Sequence, residues 1–303
     1  MRPLPFLLAL SLTACSTRTT PRPPLGVLPS AVTSAEPLWI PFRVNAGRAV
    51  LKDPRETHFT ELRRLTIDGL AGFPVWDAMG AELRYVSPAD CHTVETVTLE
   101  SGHTSRVTHQ TTLESLATQD SLLRTDCDGA SGGDAHPSPQ AIEGTTPMSL
   151  GGITNPRAMP SFSPEHTQLA WQALVPGTTD GALAIFLSAA NGARPRQVTH
   201  DGHHNVHPTF TKDGLHIVYA SDRDAPVLGS GAPELPEKNL SLALYLTDPD
   251  GPLTASGAAR VERLTFGSGS DRAPRFSPDG RWLAFLSGRG GQGLDLYVAR
   301  WVN

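Results

Sequence analysis

Residues 271–290 read Asp271-Arg-Ala-Pro-Arg-Phe276-Ser-Pro-Asp279-Gly280-Arg-Trp282-Leu-Ala-Phe-Leu-Ser287-Gly-Arg289-Gly290. Apolar residues stand on both sides of Ser277-Pro278-Asp279-Gly280. Asp-Gly supplies the positive φ that a tight hairpin requires, and a proline cannot donate to a central ladder. The stretch therefore predicts one strand ending at Phe276, a turn over 277–280 and a second strand over Trp282–Ser287. A third apolar run, Leu296-Tyr297-Val298, follows a few residues later.

The same order recurs upstream, and such repeats have to be found before local structure is read. Pro74-Val75-Trp76, Pro160-Ser161-Phe162 and Pro208-Thr209-Phe210 match Pro274-Arg275-Phe276. Thr211-Lys212-Asp213-Gly214 and Ser163-Pro164-Glu165-His166 match the turn. Each turn runs into a strand-like segment at 83–87, 169–173 or 215–221. A second mark closes each unit: Arg64-Leu65-Thr66, Arg106-Val107-Thr108, Gly152-Ile153-Thr154, Gln197-Val198-Thr199 and Arg263-Leu264-Thr265. Its threonines are 42, 46, 45 and 66 residues apart.

Four short strands in such a period describe a β-propeller blade, which buries its two faces only by stacking radially against others. The expected fold is all-β: a propeller of five four-stranded blades at about 67–108, 109–154, 155–199, 200–265 and 266–302. A sixth is expected if Trp39–Val50 forms a degenerate blade. The last unit lacks a fourth strand while 61–66 has one to spare, so the N-terminal segment is expected to complete the last blade. The 109–154 unit is the irregular one, with no Pro-x-aromatic. The 200–265 unit is long, with a surface loop at 224–239.

The 271–290 stretch resembles the blade motif of TolB-type propellers: Leu-Thr, a spacer, Pro-x-Phe-Ser-Pro-Asp-Gly, an apolar strand ending in Ser-x-Arg, then an Ile-Tyr-Val type strand. Ser221-Asp222-Arg223 repeats its end. The resemblance covers about 60–302 and implies the fold, whereas activity has to be argued from a site. TolB carries a further N-terminal α/β domain, for which the roughly 25 residues before the first unit leave no room, so TolB's role does not transfer as a whole.

The N-terminus sets the expected compartment. Arg2 precedes an apolar run over 4–12 and then Leu12-Thr13-Ala14-Cys15. A charged start, a short apolar core and small residues before a cut mark a secretory signal, too short for a membrane span. The tetrapeptide resembles the bacterial lipobox, which implies that residues 1–14 are removed and that Cys15 is acylated. Two chains, palmitate among them, suffice for stable anchoring. Residues 15–35, rich in proline, read as a tether, and 36–303 as the propeller. Ser16 after the cysteine points to the outer membrane, with the propeller facing the periplasm.

Composition agrees. Gly and Pro make up 55 of 303 residues, charged residues 18%, and the net charge is −5. A turn-rich, charge-poor chain without basic excess suits short strands and argues against nucleic-acid binding. The expected form is a monomer.

Three groups of side chains are candidates for chemistry. His200, His203, His204 and His207 fall within eight residues, with Asp201 among them, at the entry to an inner strand. Four imidazoles and a carboxylate could ligate a divalent metal, although the spacing matches no standard zinc pattern. They equally suit a polar channel mouth, with His203, His204 and His207 contacting a partner. Cys91 and Cys127 are an even pair in an oxidising compartment and a candidate disulfide. The repeats leave no room for a hydrolase domain, and no catalytic residue is assigned. The expected function is a non-enzymatic, lipid-anchored scaffold without cofactor that binds an envelope protein or polymer. The alternative is a metal-dependent, saccharide-acting enzyme, a lyase, using 200–207; related propellers include lyases of pectic oligosaccharides with histidines on a metal.

Overall fold

Each Pro-x-aromatic segment forms the innermost strand of a sheet in the computed structural model, which describes residues 46–87, 93–108, 160–175, 182–225, 241–252, 259–291 and 293–303. By contacts the chain divides into Met1–Trp39 and Ile40–Asn303, and everything described belongs to the second unit. The first blade is β3 (Val75–Trp76), β4 (Glu82–Val86), β5 (Thr93–Thr98) and β6 (Thr104–Thr108). The second is β7 (Ser161–Phe162), β8 (Gln168–Leu174), β9 (Leu183–Ala189) and β10 (Arg196–Gln197). The third is β11 (Asn205–Phe210), β12 (Ile217–Ser221), β13 (Ala243–Thr247) and β14 (Val261–Arg263). The closing blade runs β15 (Asp271–Phe276), β16 (Trp282–Ser287), β17 (Asp295–Trp301), β2 (Phe59–Arg64) and β1 (Arg48–Ala49). Neighbouring strands in every blade are antiparallel.

The fold is an all-β propeller, but the expected five or six blades are corrected to four among the described residues. The apolar-Thr mark counts blade ends, whereas a sheet is seeded by its inner strand, and 109–154 has no Pro-x-aromatic to supply one. Residues 109–159 lie outside the described residues. Nor does the segment ending at Val50 found a sixth sheet. Its Arg48 and Ala49 pair with Arg64 and Arg63, making β1 the fifth strand of the closing blade. β2 in turn lies against β17, from Tyr297 opposite Arg64 to Trp301 opposite Phe59.

Alternation along each second strand sends successive side chains to opposite neighbours, as a two-residue period requires. Ile217 and Tyr219 pack with Ala170, Ile185 and Leu187 of the second blade, while Val218 and Ala220 pack with Leu283 and Phe285 of the closing blade. Trp282, Ala284 and Leu286 face Leu83, Tyr85 and Val97 of the first blade. A fourth cluster, Leu169, Trp171, Ala173, Ala184 and Phe186, belongs to the second blade. Full burial of one such large side chain stabilises by about 1.5–3 kcal/mol, so these interfaces fix how the blades stack.

The closing mark is a backbone clamp. Leu65, Val198 and Leu264 each donate an N–H to a third-strand carbonyl, those of Leu296, Ile185 and Leu244, at 2.7–2.8 Å. The threonine after each accepts the N–H of that same third-strand residue, at 2.9 Å in all three blades. The residue before each, Arg64, Gln197 or Arg263, donates to the threonine carbonyl. The recurring Arg/Gln-apolar-Thr triplet thus ties the last strand to the third where the ladder stops.

Candidate functional site

The inner strands β11 and β15 carry the same irregularity. His207-Pro208 stands opposite Tyr219 alone, and Ala273-Pro274 opposite Phe285 alone, so each strand has one extra residue. His207 and Ala273 take φ of 57° and 53°, a left-handed conformation that is uncommon for residues with a Cβ. The bulge places the proline, which has no N–H, where no ladder bond is needed, and it re-aims the residue before it. The N–H it displaces finds an acceptor in the preceding blade. His207 N donates to Gln172 Oε1 at 2.6 Å, and Ala273 N donates to His207 Nδ1 at 3.4 Å. Trp76 Nε1 of the first blade donates to the Arg275 carbonyl at 3.0 Å. Such contacts cross between the second and third blades, the third and closing blades, and the closing and first blades.

These contacts separate the four histidines. His207 is fully buried, its ring 5.1 Å from that of Phe73 and its Nδ1 committed to Ala273. His200 is exposed, and His203 and His204 are half-buried in the loop leading to β11. That loop is folded around two carboxylates: Asp201 Oδ1 accepts from His203 N and Asn205 Nδ2, and Asp222 Oδ1 accepts from His204 N. His203 Nδ1 lies 3.6 Å from Asp222 Oδ1, and Arg223 reaches Asp201 at 3.4 Å. Among the described residues no three His, Cys, Asp or Glu side chains form a group that could hold a metal ion. Cys15, Cys91 and Cys127 lie outside the described residues.

The Ser-x-Arg arginines anchor charge clusters at the same end. Arg289 Nη2 sits 3.1 Å from Glu56 Oε1 and 3.0 Å from Asp271 Oδ2, with all three side chains buried. Burial works against its charge, but the two carboxylates outweigh that and keep the guanidinium protonated. Burial pushes the Asp271 carboxyl up, against the pull of Arg289. Asp295, also buried, holds β2 to β17: it pairs with Arg64 and accepts from Thr66 Oγ1 and Gly69 N at 3.0 Å. Burial raises the Tyr219 phenol, and burial with the Asp224 hydrogen bond raises that of Tyr245.

Sequence reasoning missed Gln172, Glu56 and Asp295. Gln172 breaks an apolar strand, Leu169-Ala-Trp-Gln-Ala-Leu174, and a polar residue at a core-facing position is a signal that could have found it. Glu56 and Asp295 act through partners distant in sequence and left no such mark.

The opposite ends of the blades carry the Asp-Gly turns. Gly80, Gly214 and Gly280 have φ of 71–73°, and neighbouring turns touch: Gly80 lies beside Pro278, Gly214 beside Pro164 and Gly280 beside Lys212. A groove of about 370 Å³ between the third and closing blades is lined by Lys212, Asp213, Asp279, Arg281, Trp301 and Asn303. Met79 and Leu215 stand exposed on the same row of turns.

No family model and no curated protein matches the sequence. Solved structures similar to it include a candidate TolB from Agrobacterium tumefaciens, 22% identical over 77% of this chain and 58% of that one, with a TM-score of 0.35. TolB from Acinetobacter baumannii is 15% identical over 76% of this chain and 43% of that one, with a TM-score of 0.29. Oligogalacturonate lyase from Vibrio parahaemolyticus is 10% identical over 84% and 98%, with a TM-score of 0.30. The chain thus spans about half the length of the two TolB proteins. At these scores the likeness carries no argument about binding or catalysis.

Proposed function

We propose that this chain is a non-enzymatic binding scaffold of the bacterial envelope, anchored by a lipid on Cys15, that takes a protein or envelope polymer on the ends of its blades. The supporting observation is the use made of the polar side chains around the inner strands. The His207 ring receives the Ala273 N–H, Gln172 receives that of His207, and Asp201, Asp222 and Asp271 are bonded into loops and ion pairs. These groups hold the frame in one shape. The half-buried His203 and His204 at one end and the exposed Met79 and Leu215 at the other are contact residues in this reading.

The compartment rests on the sequence: the apolar run over 4–12, Leu12-Thr13-Ala14-Cys15 and the proline-rich 15–35 that follows. Lipid on Cys15 would leave the blades on a tether long enough to reach partners near the membrane. Crosslinking in intact cells, followed by mass spectrometry, tests the proposal. The expected result is a defined partner, captured equally well after chelation of divalent metals and released into the soluble fraction by Cys15→Ala. The opposite result is stoichiometric divalent metal on the purified chain, with saccharide turnover abolished by His203→Ala together with His207→Ala.

A further inference from the structure

We propose that Glu56, Arg289 and Asp271 form a proton-dependent latch that fastens the N-terminal strap, residues 46–58, to the closing blade. The latch is closed when the cluster carries a proton and loosened when it loses it. The geometry is two carboxylates on one cation. Glu56 Oε1 and Asp271 Oδ2 both approach the same nitrogen of Arg289, at 3.1 and 3.0 Å, and the side chains are 0%, 2% and 8% exposed. A single guanidinium compensates one carboxylate, and a second negative charge held away from water costs several kcal/mol unless it is neutralised. A proton on Asp271, whose carboxyl burial raises, removes that cost.

The third blade provides the internal comparison. Asn205 begins β11 opposite Ser221, just as Asp271 begins β15 opposite Ser287. There the arginine, Arg223, meets one carboxylate, Asp201, and the inner-strand residue is a neutral amide, so only in the closing blade does one arginine nitrogen face two carboxylates.

The other cations near the cluster are Lys52, whose Nζ bonds the Glu56 carbonyl, the exposed Arg55, which is paired with Asp53 and also attracts Glu56, and Arg272, which bonds the Ser270 hydroxyl. On β2 and β17, Arg64 is paired with Asp295, and Tyr297 stands beside Arg289 with a phenol raised by burial. Thr265 and Ser287 hydroxyls bond Asp271. The movable partner is Glu56, which stands on a loop and receives the N–H groups of Asp53 and Phe266, whereas Asp271 and Arg289 belong to the closing blade. Because the Asp271 carboxyl is raised in the folded chain by burial, its contribution is present at acid pH. That contribution is lost as pH rises through the raised value.

Hydrogen–deuterium exchange of the full chain, corrected for the intrinsic pH dependence of amides, reads the latch directly. Protection of peptides covering 46–58 is expected to fall roughly tenfold or more between about pH 5 and about pH 8, as the raised Asp271 carboxyl loses its proton. Peptides covering 242–252 of the third blade should not follow. Asp271→Asn, which copies Asn205, should keep the strap protected at both pH values. Equal protection of the wild-type strap at both pH values, or an unchanged slope in Asp271→Asn, overturns the latch. Carboxyl carbon NMR of the wild-type chain needs no variant: the Asp271 carboxyl should titrate above the ordinary range, and an ordinary Asp271 titration would contradict the proposal.

Discussion

Replacing Thr199 by Val tests the clamp that closes each blade. Valine keeps the branched shape, so the change removes one hydroxyl from a site that is 6% exposed. That hydroxyl accepts the Ile185 N–H at 2.9 Å, while Val198 N still reaches the Ile185 carbonyl at 2.7 Å. The variant therefore leaves one fully buried donor without an acceptor. Such a group costs about 1–3 kcal/mol. In urea, where slopes are about 1–3 kcal/mol per molar, the midpoint should fall by roughly 0.5–1 M with the slope unchanged. The Ile185 amide should exchange faster than its neighbours on β9. Thr199→Ser keeps the hydroxyl, loses about 0.8 kcal/mol for one methyl group, and should leave that amide protected. A valine variant with the wild-type midpoint and a protected Ile185 amide would refute the clamp.

Three further outcomes follow from the geometry. His207→Ala should destabilise the chain by about 2–4 kcal/mol, since it empties a buried site and removes the acceptor of the Ala273 N–H. His203→Ala, at a half-buried loop position, should stay within about 0.5 kcal/mol; equal losses in thermal unfolding would contradict these roles. Gly280→Ala should cost more than Gly214→Ala. Both pay about 1–2 kcal/mol for a left-handed backbone, but an added Cβ at 280 would meet Lys212 Cβ at 2.3 Å, whereas at 214 the nearest atoms are 3.5 Å away. Asp295→Ala should cost about 3–5 kcal/mol in chemical denaturation by leaving Arg64 unpaired against a buried site, and should raise exchange along β2 above that along β12.

The blades were legible because their signals are local. Pro274-Arg275-Phe276 and Ser277-Pro278-Asp279-Gly280 name an inner strand and its hairpin within seven residues, and Leu264-Thr265 names the clamp that ends a blade. The blade count was not legible from the same marks. Thr108 and Thr154 frame an interval of ordinary length, yet the interval lacks the inner-strand motif on which a sheet is built. The candidate site was legible only in outline. His200, His203, His204 and His207 are neighbours in sequence, but a bulge turns His207 into the frame while Asp201 and Asp222 fold the others into a loop. Glu56 meets Arg289 across more than two hundred residues. Spacing cannot report a partner that only the closed sheet brings near.

The scaffold reading is tested most directly by site-specific photo-crosslinking in living cells, from positions 203 and 215 of the full chain, with position 207 as the buried control. The account predicts one recurrent adduct from an exposed position, unaffected by chelation of divalent metals and absent from position 207. Equal labelling from all three positions, or no adduct together with metal-dependent turnover of a saccharide by the purified chain, would contradict it.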